Sequence, residues 1–468
     1  MSLEDRLYPL LGIYQKLPMP LKSGIGFAYR ILPSSIKWGN EFQRFRELTY
    51  EIESWDYEKT WEFQYTQLKR TLNNAANYCP YYRQLFLENQ FNVQRLRAPE
   101  DIEKCPLLEK QTLIDEFDSI VSTDLEASKR LYITTGGSTG VPVGFYLQKG
   151  VSRPKEQAFL ESMWRRAGYE EGDRLVVIRG HVTDSKSSGR IDSYDPTRDW
   201  LMLSSYHLTL DRFDEYLEEI ENFRPDVLHI YPSAALLISE YLEKTNQEWR
   251  TPVKALLCGS ERLTNPQKRI LEKTFKCKVY RWYGHSERVV LAGEGRQSDD
   301  FYFFPQYGYT EFGPKDENGF QEVIGTSFHN MAMPLVRYRT GDYVKLSSDS
   351  QNREFFWPTV KEIAGREQEF LVSGNKRIIS LTAFNMHTDI FDGLYAVQFY
   401  QDSPGFAEFR YVPSRKFNSS KLSLIEKGVK EKLGDDFNVS LVSVSETEKT
   451  KRGKHKWVIQ KLNVNDFI

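Results

Sequence analysis

The chain has 468 residues, of which 40% are hydrophobic and 14% aromatic, and 63 basic against 65 acidic side chains leave a formal net charge of −2. That length exceeds one ordinary core and implies two or three domains; the composition excludes a disordered chain, and the balanced charge supplies no global field for nucleic acid. Cys79, Cys105, Cys258 and Cys277 stand apart with no CxxC pair, which argues against a disulfide framework or structural zinc and for a reducing, cytoplasmic compartment.

Glu4, Asp5 and Arg6 interrupt any early apolar run, so no signal peptide is expected. No stretch reaches the roughly 18–20 apolar residues that span a bilayer. In residues 1–40, Leu7, Leu10, Leu11, Ile13, Leu17, Leu21, Ile25, Phe27 and Ile31 recur between Pro9, Pro18, Pro20 and Pro33, with scattered Lys and Arg. Two readings fit. Apolar faces beside cations suit peripheral membrane association or a partner protein; the same residues would also cap the core of their own chain, which is the plainer expectation.

Residues 41–78 read as mostly helical, with Trp55, Trp61, Tyr65, Leu68 and Leu72 compatible with one buried face. Cys79-Pro80 ends that helix, because the residue before proline resists the helical region. Residues 107–110 open a short helix. Residues 131–146 then carry Gly136-Gly137-Ser138-Thr139-Gly140 between two strand-like runs. Three glycines in five residues allow several N–H groups to point at one spot and bind an anion, and Thr134, Thr135, Ser138 and Thr139 add hydroxyls. A plain glycine-rich hairpin turn fits the same letters. Gly140 is followed by Val141-Pro142 and not by Lys-Ser/Thr, so this is no Walker A motif and a P-loop kinase is excluded.

Beyond the loop, helices at 153–167, 211–222, 233–244 and 266–275 alternate with strands at 174–178, 227–231, 255–258 and 278–281. Strands separated by such helices imply a parallel sheet covered on both faces. From Phe301 the texture turns to β, with Asp316-Glu317-Asn318-Gly319 as a hairpin turn. A small α+β unit follows, with strands at 370–372, 376–380, 396–400 and 408–412 and helices at 382–391 and 421–433. Gly365-Arg366-Glu367-Gln368-Glu369 makes a polar, glycine-led hinge before it. The expected fold is α/β: a large N-terminal domain over 1–363, whose first 125 residues are a mostly helical lead-in, and a small mobile C-terminal lid over 364–468.

Further stretches carry the chemistry. Tyr283-Gly284-His285-Ser286-Glu287 follows a strand, Tyr338-Arg339-Thr340-Gly341-Asp342 sets a carboxylate in a turn at a strand end, and Thr450-Lys451-Arg452-Gly453-Lys454 forms a basic loop near the C-terminus. Each has a bland meaning alone: a turn with a core aromatic, a turn pair, a solvated basic run. Their order from Thr134 to Lys454 is hard to obtain by chance. With them, the chain resembles the adenylate-forming superfamily, and within it the phenylacetate–CoA ligase branch that includes the CapK-type capsular-polysaccharide proteins. Pro80-Tyr81-Tyr82-Arg83 and Pro106-Leu107-Leu108 resemble the stretch preceding the phosphate loop in that branch.

The resemblance implies an AMP-forming ligase that joins a carboxylic acid to AMP and then hands the acyl group to an acceptor nucleophile, CoA or a sugar amine, with no nucleic acid involved. Thr134, Thr135, Gly136, Gly137, Ser138, Thr139 and Gly140 would hold the β- and γ-phosphates of ATP. Tyr283, beside Gly284, would stack on adenine; Gly259-Ser260-Glu261 would form the adenine-site loop; Glu287 would help hold Mg²⁺; Asp342 would accept from the ribose hydroxyls, with Arg366 near the hinge. Lys454 would enter from the small domain as the catalytic cation. His181, Tyr231, Ser233 and His285 lie where the acyl pocket is expected, although His181 could equally be structural. Two departures stand out: Val143 follows Pro142 where many relatives place lysine, and Gln368-Glu369 replaces the common hinge aspartate. The second puts the thioester half-reaction in question. A non-catalytic docking protein that keeps the fold is the contrasting class.

Overall fold

The computed structural model describes residues 7, 13–14, 17–134, 143–180, 191–205, 208, 212–347, 354–364, 370–380, 391, 394–414, 417–448, 456–463 and 467. The lead-in is helical: α1 (Met19–Arg30), α2 (Ser34–Trp38), α3 (Asn40–Glu51), α4 (Tyr57–Tyr78), α5 (Pro80–Glu88), then the short α6 (Lys110–Asp115) and α7 (Phe117–Ile120). The sequence read 41–78 as largely one helix. It is broken at 52–56, where Asp56 accepts the Lys59 N–H at 2.8 Å and starts α4 afresh as its N-cap. Pro80 occupies the first turn of α5, where its missing N–H is harmless.

Strands β1 (Arg130–Thr134) and β2 (Gly144–Gln148) pair antiparallel, with Thr134 opposite Gly144. The two runs flanking the glycine loop are therefore strands, as the sequence implied, and the loop's residues 135–142 lie outside the described residues.

After α8 (Ser152–Arg166) come β3 (Leu175–Arg179), β4 (Asp192–Asp195), β5 (Trp200–Ser204), α9 (Phe213–Phe223), β6 (Val227–Ile230), α10 (Pro232–Lys244), β7 (Ala255–Cys258), α11 (Asn265–Phe275) and β8 (Lys278–Gly284). Strands β5, β3, β6, β7 and β8 lie side by side and parallel. Then follow β9 (Leu291–Glu294), β10 (Phe301–Phe303), β11 (Gly308–Lys315), β12 (Gln321–Ser327), β13 (Tyr338–Leu346) and β14 (Thr359–Ala364). Together they make one sheet in the order β11-β12-β13-β14-β10-β9-β8-β7-β6-β3-β5-β4, antiparallel from β8 through β9 to β11. Strand β8 is thus the seam: parallel to β7 on one side and antiparallel to β9 on the other. Beneath it Lys268 of α11 reaches both Glu294 oxygens at 3.0 Å and Arg281 Nε reaches Oε1 at 2.6 Å. Those partners offset the burial of the fully enclosed Glu294 carboxylate.

The C-terminal part holds the hairpin β15 (Phe370–Val372) and β16 (Ile378–Ser380), then β17 (Leu394–Ser403), β18 (Phe406–Pro413), α12 (Leu422–Leu433), β19 (Asn438–Ser443) and β20 (Val458–Gln460). The last four strands form a separate sheet in the order β19-β18-β17-β20, and Ile425, Val429 and Leu433 are the buried stripe of α12. Residues 382–390 of the expected helix lie outside the described residues. This is the α/β architecture read from the sequence, with its small α+β unit at the C-terminus.

One buried cation is unusual. Lys155 of α8 is 2% exposed, with Nζ 3.6 Å from the Tyr307 ring centroid and 3.5 Å from the Phe328 carbonyl oxygen. Burial pushes its ammonium down to about 7 from 10.5. The unfolded chain therefore binds more protons than the native one between those values, so Lys155 lowers stability at and below pH 7 and the penalty fades as pH rises toward 10.5. Lys155→Met is expected to stabilise the protein by about 1–4 kcal/mol at pH 6, and by clearly less at pH 9.5. Urea unfolding at the two pH values checks this; a gain independent of pH would assign it to packing instead.

Candidate active site

The carboxyl ends of the parallel strands converge, as ligand-binding α/β sheets require. Arg179 ends β3, Tyr231 follows β6, Gly259-Ser260-Glu261 follows β7, and Tyr283-Gly284 closes β8, with His285 and Glu287 in the next turn.

The first three of these positions hold one another. Arg179 Nη2 donates to Ser260 Oγ at 2.6 Å, Nη1 sits 2.6 Å from His229 Nε2, and the guanidinium lies 4.6 Å from the centre of the buried Tyr231 ring. Ser260 has φ of +71°, a left-handed conformation that a non-glycine residue keeps only where its surroundings enforce it. A side chain at Gly259 would run into the Trp282 ring, so glycine there allows the loop to pass close over β8. The Glu261 carboxylate accepts from Ser233 N at 2.7 Å and from Ser233 Oγ at 2.9 Å. That makes it the cap of α10, an anion at a helix N-terminus. Glu261 and Ser233 were expected to face ATP and acid; in the structure they are bonded to each other.

The second group spans the sheet. Tyr283 OH donates to Asp342 Oδ2 at 2.9 Å, and Tyr338 OH donates to Glu287 Oε1 at 2.8 Å. The two bonds run in opposite senses between the end of β8 and β13. In the sheet order β9, β10 and β14 stand between those strands. A flat sheet with neighbours about 4.8 Å apart would hold them about 19 Å apart, so the antiparallel half must curl back over the seam. Burial raises both phenols, and the Asp342 and Glu287 carboxylates raise them further. At neutral pH both tyrosines therefore keep their protons and donate.

Asp342 is placed differently from the expectation. It does not sit in a turn at a strand end but within β13, in a bulge where Thr340, Gly341 and Asp342 face Val323 of β12. Gly341 takes φ of +71°, and the Asp342 N–H donates to Thr340 Oγ1 at 3.1 Å. The extra residues re-aim the carboxylate, a common use of bulges beside sites.

His285 lies beside Tyr283, with ring centroids 6.0 Å apart. Both its nitrogens are shielded from solvent and lack a hydrogen-bond partner among the described residues. Burial lowers its protonation, against the pull of Glu287 and Asp342, and the Lys110 ammonium lowers it too. A neutral imidazole with unsatisfied nitrogens is suited to bond a ligand. Lys110 was read from the sequence only as the start of a short helix. It arrives because Leu108 pairs with Tyr338, donating to Arg337 O and accepting from Arg339 N, each at 3.0 Å; no local signal encodes that pairing.

Of the expected site residues, Thr134 is a buried residue at the end of β1. Thr135, Gly136, Gly137, Ser138, Thr139, Gly140, His181, Arg366 and Lys454 lie outside the described residues. Tyr283, His285, Glu287 and Asp342 are brought together; Tyr231 and Ser260 lie against Arg179, and Ser233 is bonded to Glu261.

Comparison with known proteins agrees with this architecture. Residues 371–461 match the family described as the CapK C-terminal domain. The whole chain is similar to Protein CapK of Staphylococcus aureus, 23% identical over 461 residues that cover 96% of this chain and 97% of that protein. It is also similar to the phenylacetate-coenzyme A ligase of Pseudomonas putida, 24% identical over 66% of this chain and 71% of that one. Among solved structures, 2-hydroxyisobutyryl-CoA ligase with 2-HIB-AMP and CoA shares the fold with a TM-score of 0.57, at 17% identity, over 89% of this chain and 92% of that one.

Proposed function

We infer that this chain, a CapK-like member of the phenylacetate–CoA ligase branch of the adenylate-forming superfamily, is an AMP-forming acid ligase that joins a carboxylic acid to AMP with release of pyrophosphate. The observation that carries the reading is the pair of phenol–carboxylate bonds that ties Asp342 to Tyr283 and Glu287 to Tyr338 between the end of β8 and β13. Asp342, an acceptor in a rigid bulge, would bind the ribose hydroxyls of ATP. Tyr283 would lie along the adenine, with residues 259–261 as the loop beside it. Residues 134–140 would clasp the outer phosphates through backbone N–H groups and hydroxyls.

Among the described residues no three His, Cys, Asp or Glu side chains form a metal cage. A single buried carboxylate with one oxygen engaged by Tyr338 fits Mg²⁺, which keeps waters and substrate phosphates as its other ligands. Glu287 would hold that ion, which when bound neutralises phosphate charge. The chain's own residues then position the acid for in-line attack on the α-phosphorus. We place the lid at residues 364–468, with Lys454 delivered by it and Arg366 at its hinge.

For the second half-reaction, likeness along the full length to a CapK protein supports transfer of the acyl group to a sugar amine in the making of a surface polysaccharide, in the cytoplasm. CoA as acceptor is the second reading, supported by the phenylacetate-coenzyme A ligase relatives. The test is ATP–pyrophosphate exchange with a panel of aromatic, aliphatic and amino acids, followed by CoA or amino sugars. Exchange with at least one acid is expected. Failure to bind ATP at all would instead identify a docking protein that retains the fold. Acyl-CoA in the product mixture selects the second reading; an acylated sugar selects the first.

A further inference from the structure

Arg179 ends β3 at the carboxyl edge of the parallel sheet, half-buried, with the exposed Ser260 beside it. Its partners among the described residues are a hydroxyl, an imidazole nitrogen and a phenol ring: Ser260, His229 and Tyr231. None is a carboxylate. Other arginines of the large domain are matched by acids: Arg166 by Glu53, Arg281 by Glu294, Arg337 by Glu311 and Arg339 by Glu322. Glu261, next to Ser260 in the chain, is engaged instead by the N–H and hydroxyl of Ser233.

The guanidinium is also held firmly. The His229 ring lies 5.3 Å from that of Trp164 and 5.4 Å from that of Trp282, and Ser260 keeps its left-handed φ of +71°. A strap from β3 to the loop after β7 would need only a neutral donor, and a half-buried charge without a counterion is costly. Two of the five guanidinium N–H donors meet Ser260 and His229, and a fixed fork with donors to spare suits an oxyanion. Tyr231 and Ser260 follow β6 and β7, which neighbour β8 in turn. At about 4.8 Å per strand, the guanidinium stands about 5–10 Å from the end of β8, where Tyr283 would lie along the nucleotide. We propose that Arg179 binds a second oxyanion on the substrate, so that the acid activated carries a distal carboxylate or phosphate group about 5–10 Å from the carboxylate that attacks ATP.

This inference rests on the acid-ligase reading above. ATP–pyrophosphate exchange by the full chain tests it, with glutarate and adipate set against pentanoate and hexanoate, and phosphonobutanoate as the phosphate-type arm. The wild type is expected to show a kcat/KM at least about tenfold higher for a dianionic acid than for the monoanion of equal length; which dianion is preferred identifies the oxyanion. Arg179→Met should bring that ratio to within about threefold of one, with the loss chiefly in KM, and Arg179→Lys should recover part of it, keeping the charge without the fork. A merely structural strap would lower both kinds of acid by one factor, and that result from Arg179→Met overturns the proposal. A wild-type enzyme indifferent to the second charge, or preferring monoanions, overturns it while the ligase reading stands. Exchange with no acid at all overturns both.

Discussion

Lys454→Ala is expected to slow acyl-adenylate formation about 10²–10³-fold with little change in the melting temperature. A carboxylate attacking the α-phosphorus brings two anions together, and a fixed cation is most effective where charge develops in a site closed to water. The glycine loop cannot supply that cation, because Val143 follows Pro142. Lys110 lies close enough to affect His285 but is anchored through the Leu108–Tyr338 pairing on the large sheet, so it cannot be withdrawn between half-reactions. Lys454, in the C-terminal unit, would be delivered and removed by the proposed lid. The variant should therefore lose pyrophosphate exchange yet still transfer the acyl group when acyl-adenylate is supplied. Pyrophosphate release at the wild-type rate would take Lys454 out of the site.

Glu287→Gln is expected to lower adenylation about 10²-fold and to raise the Mg²⁺ concentration needed for half-maximal rate. The substitution is conservative in shape, since a glutamine Oε1 can still accept the Tyr338 hydroxyl that now lies 2.8 Å away. What is lost is the charge. Tyr338→Phe is the companion: it keeps the carboxylate and removes the donor that orients it, and about a tenfold loss is expected. A glutamine variant with the wild-type Mg²⁺ dependence would make Glu287 merely the hydrogen-bond partner of Tyr338.

The sequence made the parallel strands legible because they are buried on both faces. Residues 255–258 and 227–230 are continuous apolar or near-apolar runs whose bounds were read to within a residue. Strand β4, with the sequence DSYD and no buried residue, carries no such signal, and neither it nor its partner β5 was anticipated. Glycine at 341 has the positive φ of a turn, and only pairing with β12 turns that local geometry into a mid-strand bulge. Ser233 and Glu261 follow different strands, so their cap is equally invisible along the chain. The candidate site residues were singled out by their order along the chain and by the family it resembles. The phenol–carboxylate bonds, the Arg179–Ser260 bond and the Ser233–Glu261 cap were not legible, because each joins segments far apart in sequence.

The curl of the sheet also bears on how the protein is made. Asp342 reaches Tyr283 only once β9, β10, β14 and β13 have assembled in that order beyond β8, and β14 ends at Ala364. A nascent chain that has displayed every parallel strand of the large sheet and both tyrosines would still lack the proposed nucleotide site until that residue leaves the ribosome. Closure of so many non-local pairings is slow compared with helix formation. If the proposed site binds ATP, that affinity is expected to appear only late in synthesis, once β14 has joined the sheet.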